Sequence, residues 1–245
     1  MTGNPTLNQN TFTEVSAATG AEPMTVGGTV QKTAILLGLV VLSASYTWNL
    51  YFSNPASSMS GWAIVGGLGG FVLAMVTIFK RTWSPVTAPL YAICEGLLVG
   101  AISAITQARY GVSVIQAVLL TFGTLAALLG AYQTGLIRAS APFMRGVIAA
   151  TGGIAIAYFI SMILGFFHIP VPFINGSGAL GIGFSVFVVI IAALNLVIDF
   201  DFIEQGAKAG APKYMEWYAS FSLLVTLVWL YLEILRLLSK ISRRN

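Results

Sequence analysis

Seven apolar stretches, each about the 20 residues that a helix needs to cross a bilayer, dominate the chain. Their approximate limits are 33–52, 60–79, 85–106, 112–136, 146–166, 179–200 and 217–238. Within lipid, backbone N–H and C=O groups have no water to bond, so each stretch must satisfy them along its own helix. A strand reading is excluded. The expected fold class is therefore an all-α polytopic membrane protein, a bundle of seven transmembrane helices.

Composition supports that reading. Only 8% of the 245 residues are charged and 57% are hydrophobic, whereas a soluble domain carries about 25% charge. The formal charge of +4 raises nucleic acid as a partner to be weighed. However, the basic residues stand singly in short links, as topology signals do, which argues against such a partner. The expected partners are the lipid bilayer, cations and protons.

Residues 1–31 are rich in Thr, Asn, Gly and Ala and lack a basic leader. They read as a disordered polar tail ahead of a transmembrane domain spanning 32–245. The links carry turn chemistry at Ser53-Asn54-Pro55, Trp83-Ser84-Pro85, Ala141-Pro142, Pro170-Val171-Pro172 and Asn175-Gly176-Ser177-Gly178. Gly66 with Gly70, and Gly96 with Gly100, recur at i, i+4 and suit close helix packing in lipid.

The distribution of basic residues sets an expected orientation. With the amino terminus cytosolic, the inner links hold Lys32, Lys80, Arg81, Arg138, Arg145, Lys208 and Lys213, against Arg109 in the early outer links. Seven crossings then place Arg236, Lys240, Arg243 and Arg244 outside, unless the last segment is re-entrant. The plasma (cytoplasmic) membrane is the expected location.

Five of the eight acids, Glu95, Asp199, Asp201, Glu216 and Glu233, lie inside or beside apolar runs. Ionisable groups in such places are costly and tend to face a bundle interior or a wet path that handles ions. Asp199 and Asp201 are expected to end the sixth span at the inner mouth, with Glu204 and Glu216 nearby as solvated helix-end charges. Glu95 falls about 15 Å into the third span and Glu233 about 24 Å into the seventh, at 1.5 Å per residue.

Neutral oxygens extend the pattern. Ser185, Asn195 and Asp199 share a small or polar stripe on the sixth helix, and Ser222, Thr226 and Glu233 lie close to one face of the seventh. Carboxylate and carbonyl oxygens suit hard cations such as calcium, and protons compete for the same groups. Asp199 and Glu95 are thus the candidate transient cation ligands and pH sensors. Asn195, Thr226, Asp201 and Glu233 are candidate lining groups, and Lys80 and Arg81 a possible electrostatic latch on Asp199. Arg236, three residues after Glu233, offers a local helical ion pair as the plainer reading of that acid.

Enzyme chemistry lacks its parts. The chain has one His168, outside the spans, and one Cys94 inside an apolar run, so neither a zinc ligand set nor a serine nucleophile with a base is apparent, and no cofactor is expected. A proton-coupled cation antiporter and a non-transporting membrane scaffold or regulator stay open as alternatives to a leak.

The run Ile198-Asp199-Phe200-Asp201-Phe202-Ile203-Glu204 precedes a hydrophilic loop and a Leu-rich helix ending Tyr231-Leu232-Glu233-Ile234-Leu235-Arg236-Leu237-Leu238. With Tyr91-Ala92-Ile93-Cys94-Glu95-Gly96-Leu97-Leu98-Val99-Gly100, this ordered combination resembles a prokaryotic member of the Bax inhibitor-1 (transmembrane Bax inhibitor motif) family over about residues 30–240. The resemblance implies six helices around a central seventh and a pH-sensitive calcium leak sensed by an aspartate pair on the last two helices. Asp199 matches the first aspartate. The second falls on Thr226 when the closing motif is aligned on Arg236, or near Leu223 when counted from Asp199, which leaves Glu95 as a substitute acid.

Overall fold

A computed structural model describes residues 22–54, 59–169 and 171–244. Seven long helices are apolar enough to cross a membrane among these residues: α1 (Val26–Ser53), α2 (Met59–Phe79), α3 (Ser84–Tyr110), α4 (Val114–Gln133), α5 (Ala141–Phe166), α6 (Ala179–Lys208) and α7 (Met215–Ser242). A 3-10 turn, Arg81–Trp83, leads into α3, and a one-turn helix, Pro172–Asn175, precedes α6.

The ends follow local chemistry. Thr25 caps α1 by accepting from the Gly28 N–H at 2.9 Å, and Ser113 caps α4 in the same way. Pro142 sits in the first turn of α5, where no backbone donor is missed. Gly210 (φ 68) takes the left-handed conformation that closes α6.

Two of the expected boundaries move furthest. Helix α1 begins at Val26 rather than 33, because the Thr25 cap and a downstream acid described below hold its first turns; residues 1–21 lie outside the described residues. Helix α6 continues past Asp199 and Asp201 to Lys208. Its last turns are tied by Gln205 donating to Asp201 and by the Glu204–Lys208 ion pair, both at i, i+4. Helix α7 runs unbroken for 28 residues, about 42 Å, long enough for a single full crossing rather than a re-entrant hairpin.

Burial is inverted relative to a soluble protein. Ile64, Val65, Leu68, Phe71 and Val72 of α2 are exposed, as lipid-facing side chains should be. The apolar stretch of α7 is 67% buried, against 11% for α4, so the last helix is the most enclosed of the seven.

The chain divides into two compact units, and α6 and α7 contribute to both. The first comprises 22–105 with Asp199–Val225. Here Gly96 and Gly100 of α3 lie directly on α1, where an added Cβ would collide with the backbone of Val40 and of Ala44. A Cβ on Gly66 of α2 would stand 2.6 Å from the Cys94 carbonyl oxygen. The glycine pairs are therefore packing faces. Interhelical hydrogen bonds add to them: Thr77 with Thr87 (2.7 Å), Ser84 to the Tyr214 carbonyl (3.0 Å) and Ser220 to the Thr29 carbonyl (2.8 Å). Such bonds average about 0.6 kcal/mol each within a membrane protein, so close backbone packing carries the larger share.

The second unit comprises Thr106–Ile198 with 226–244. Its core joins Ile154 of α5 to Val188 and Ile191 of α6, with Trp229 of α7 against them. Phe184 takes edge contacts from Tyr158 and Phe173, at 5.9 and 5.8 Å between ring centroids. Arg243 lies 3.8 Å from the centre of the Tyr110 ring, and Ser242 donates to the Tyr110 carbonyl at 2.6 Å.

Candidate functional site

Helix α6 contains the most apolar 18-residue stretch found in the seven helices, and it also carries Asp199 with 0% exposure. Asn195, one turn earlier, is buried too, at 2%. Its amide nitrogen donates to Thr151 Oγ1 of α5 (2.9 Å) and to the Ile191 carbonyl (2.8 Å). Ser185 belongs to the same stripe and is fully buried. The stripe read along this helix is thus an interior face. Asp201 lies on the partly exposed continuation, where Gln205 engages it.

Glu95 of α3 is half-buried. The Tyr91 hydroxyl, one turn back, donates to its carboxylate. The carboxylate also passes over α2 at Gly70, where a Cβ would come within 3.3 Å of Oε2. Glycine at 70 makes room for this acid inside the α2–α3 contact. Tyr91 is itself buried, with its ring against Phe221 of α7 at 4.9 Å. Cys94 packs beside Gly69 and is a free, half-buried thiol.

The other two intramembrane acids are occupied by named cations. Glu216, expected as a solvated helix-end charge, is wholly buried. It accepts from the Thr25 N–H (2.8 Å) and hydroxyl (3.0 Å), forms an ion pair with Lys32 and has Lys213 at 3.4 Å. The expectation fails because Glu216 opens α7, where the helix dipole favours an acid, and because Gly28 leaves a slot that a side chain would fill. Lys32, expected in a link, lies within α1. Glu233 pairs with Arg236 three residues on (3.1 Å) and accepts from the Tyr158 hydroxyl (2.9 Å). Arg236 also covers the Tyr158 ring at 4.7 Å. The plainer local pairing is the one observed for this acid.

Lys80 stacks on Trp83 (4.8 Å) and Arg81 on Tyr218 (5.8 Å). Outside the spans, burial pushes the Tyr214 phenol above its ordinary value, and Arg81 opposes the shift. Among the described residues no cluster of three or more His, Cys, Asp or Glu could hold a metal ion. His168 occupies a left-handed turn after α5 (φ 58).

The family described as Bax inhibitor 1 like matches residues 4–243, nearly the whole chain. The chain belongs to that family. No curated protein and no solved structure matches it.

In this Bax inhibitor 1 like protein Thr226, where alignment of the closing motif sets the second aspartate, is 3% exposed on α7. Leu223, the other alignment, is buried as well. Sequence reasoning missed two polar centres. One is Thr151, whose partner Asn195 lies on another helix. The other is Lys240, which was read only as part of a terminal basic cluster. Its ammonium is buried and donates to the Ile174 carbonyl (2.5 Å), the Gly181 carbonyl (3.0 Å) and Ser185 Oγ (2.7 Å). The polar stripe through Ser185 was legible. That a lysine would claim its outermost member was not, because no pattern within one helix encodes it.

Proposed function

We propose that this Bax inhibitor 1 like membrane protein lets cations, calcium among them, leak down their gradient across the cytoplasmic membrane, and that protonation of its intramembrane carboxylates closes the path. The amino-terminal side of α1 faces the cytosol in this reading, by the excess of Lys and Arg in the links on that side. No chemical step and no resident cofactor is part of it.

The observation that carries the reading is Asp199, an acid without solvent exposure in a long membrane-crossing helix, on the same face as the buried amide of Asn195. Ionisable groups enclosed within membrane-spanning helices characteristically mark ion or proton paths, which supports this role for Asp199. Glu95 is the second carboxylate of the reading, seated where Gly70 gives it space. Glu216 and Glu233 are committed to Lys32 and Arg236, which favours a fastening role for those two.

The test is calcium flux through purified protein in liposomes over a pH series. Flux should run down the calcium gradient and fall on acidification, since a protonated carboxyl no longer attracts a cation. D199N should cut it about tenfold, equivalent to about 1.4 kcal/mol, and flatten the pH response. E95Q should lower it as well. Unchanged flux at every pH in both variants removes the assignment, and flux that requires an opposing proton gradient indicates antiport instead.

A further inference from the structure

Asn195 is an amide whose orientation is fixed by its surroundings. Both hydrogens of its nitrogen are used, one on the Ile191 carbonyl of its own helix and one on Thr151 Oγ1 of α5. Flipping the amide would bring its oxygen against the Ile191 carbonyl oxygen, two acceptors with no proton between them. Oδ1 is therefore held in one direction. It is buried and has no hydrogen-bond partner among the described residues.

A buried acceptor without a donor is unfavourable in any protein interior and more so at membrane depth, where water is scarce. Asn195 is sixteen residues from the start of α6 at Ala179 and thirteen from its end at Lys208, about 24 and 20 Å along the axis. It is thus near the middle of α6. One turn further, on the same face, stands the Asp199 carboxylate.

We propose that Asn195 Oδ1, aimed by Thr151, is a neutral-oxygen station at which a permeating cation exchanges hydration for protein oxygen before or after it meets Asp199. The inference rests on the conduction reading above and adds to it the positioning residue Thr151, which touches no ion itself. A fixed amide oxygen is a strong dipole without net charge, so it can receive a cation and release it again, as conduction requires. The Ile191 carbonyl decides which way the amide faces, and Thr151 anchors the side chain in that rotamer through a second bond.

The experiment measures calcium and sodium flux through T151V, T151S and N195L in liposomes, with the thermal unfolding midpoint of each purified variant. T151V, which keeps the shape of threonine but loses the hydroxyl, and N195L should lower calcium flux relative to sodium flux about tenfold, while T151S stays within about twofold of the parent. The unfolding midpoints should remain at the parent value. If N195L does not fold, T151V decides. Calcium and sodium flux falling in step with a lower unfolding midpoint would show Asn195 and Thr151 to be architectural and overturn the station. So would parent-like calcium flux in T151V and N195L, with the conduction reading intact. A parent protein that carries no calcium at all overturns that reading and the station with it.

Discussion

Lys32 and Glu216 show how misleading a single charged residue is when its partner is distant. In the sequence the lysine looks like an inner-face signal and the glutamate like a solvated start of a helix. In the structure the carboxylate is fully buried, with the ammonium and Thr25 upon it. The physics of a buried pair is asymmetric: forming it gains little, but removing one partner strands the other. K32M should therefore cost about 1–3 kcal/mol of stability in detergent, less than for a fully stranded charge because Lys213 and Thr25 remain on Glu216, and adding E216Q should recover much of that loss. Equilibrium unfolding of the single and double variants checks this, and a K32M loss below about 1 kcal/mol would mean that the pair is hydrated like a surface bridge. Glu233 was more legible than Glu216 because its partner, Arg236, is only three positions away on the same helix. Asp199 was legible as an interior acid from its apolar context, and so was the stripe through Asn195. Thr151 was not, since a threonine among glycines and alanines on α5 has nothing nearby to mark it.

At the level of elements, long apolar runs announce themselves and their ends do not. Six of the seven helices extend further than hydropathy alone suggests, because polar residues continue a helix once capping or i, i+4 pairing supports them; Asp201 with Gln205 and Glu204 with Lys208 do this for α6. The exception is α4, which begins and ends inside the expected 112–136. The small-residue faces were read correctly as packing, and their partners became visible only in three dimensions. Gly96 and Gly100 bear on α1, whereas Gly123 of α4 has nothing within 4 Å of where a side chain would begin. G100V should thus destabilise the protein by about 1–3 kcal/mol through forced separation of α1 and α3, while G123V should be near neutral. Thermal unfolding of both variants decides it, and equal losses would show that intrinsic helix propensity rather than the contact controls the effect.

For the molecule as a whole, the count of crossings is the firmest statement the sequence makes. Nothing in lipid but a helix can use such stretches, and the structure has seven of them. Seven single crossings would put residues 22 and 244 on opposite sides. Single cysteines at Glu22 and at Arg244, in a background where Cys94 is replaced by serine, should be reached by a membrane-impermeant thiol reagent from opposite faces of intact vesicles. Labelling from the same face would require one helix not to cross. Which helix is most enclosed was legible only through family resemblance, because hydropathy does not single out α7. The Lys32–Glu216 tie also bears on assembly. The acid that secures α1 lies 184 positions downstream, so the earliest of these helices to leave the ribosome has to keep a bare ammonium near the headgroups until the last one arrives. Synthesis order and locking order are therefore reversed at this corner, and a chain interrupted before α7 would leave α1 packed on α3 but without its ionic tie.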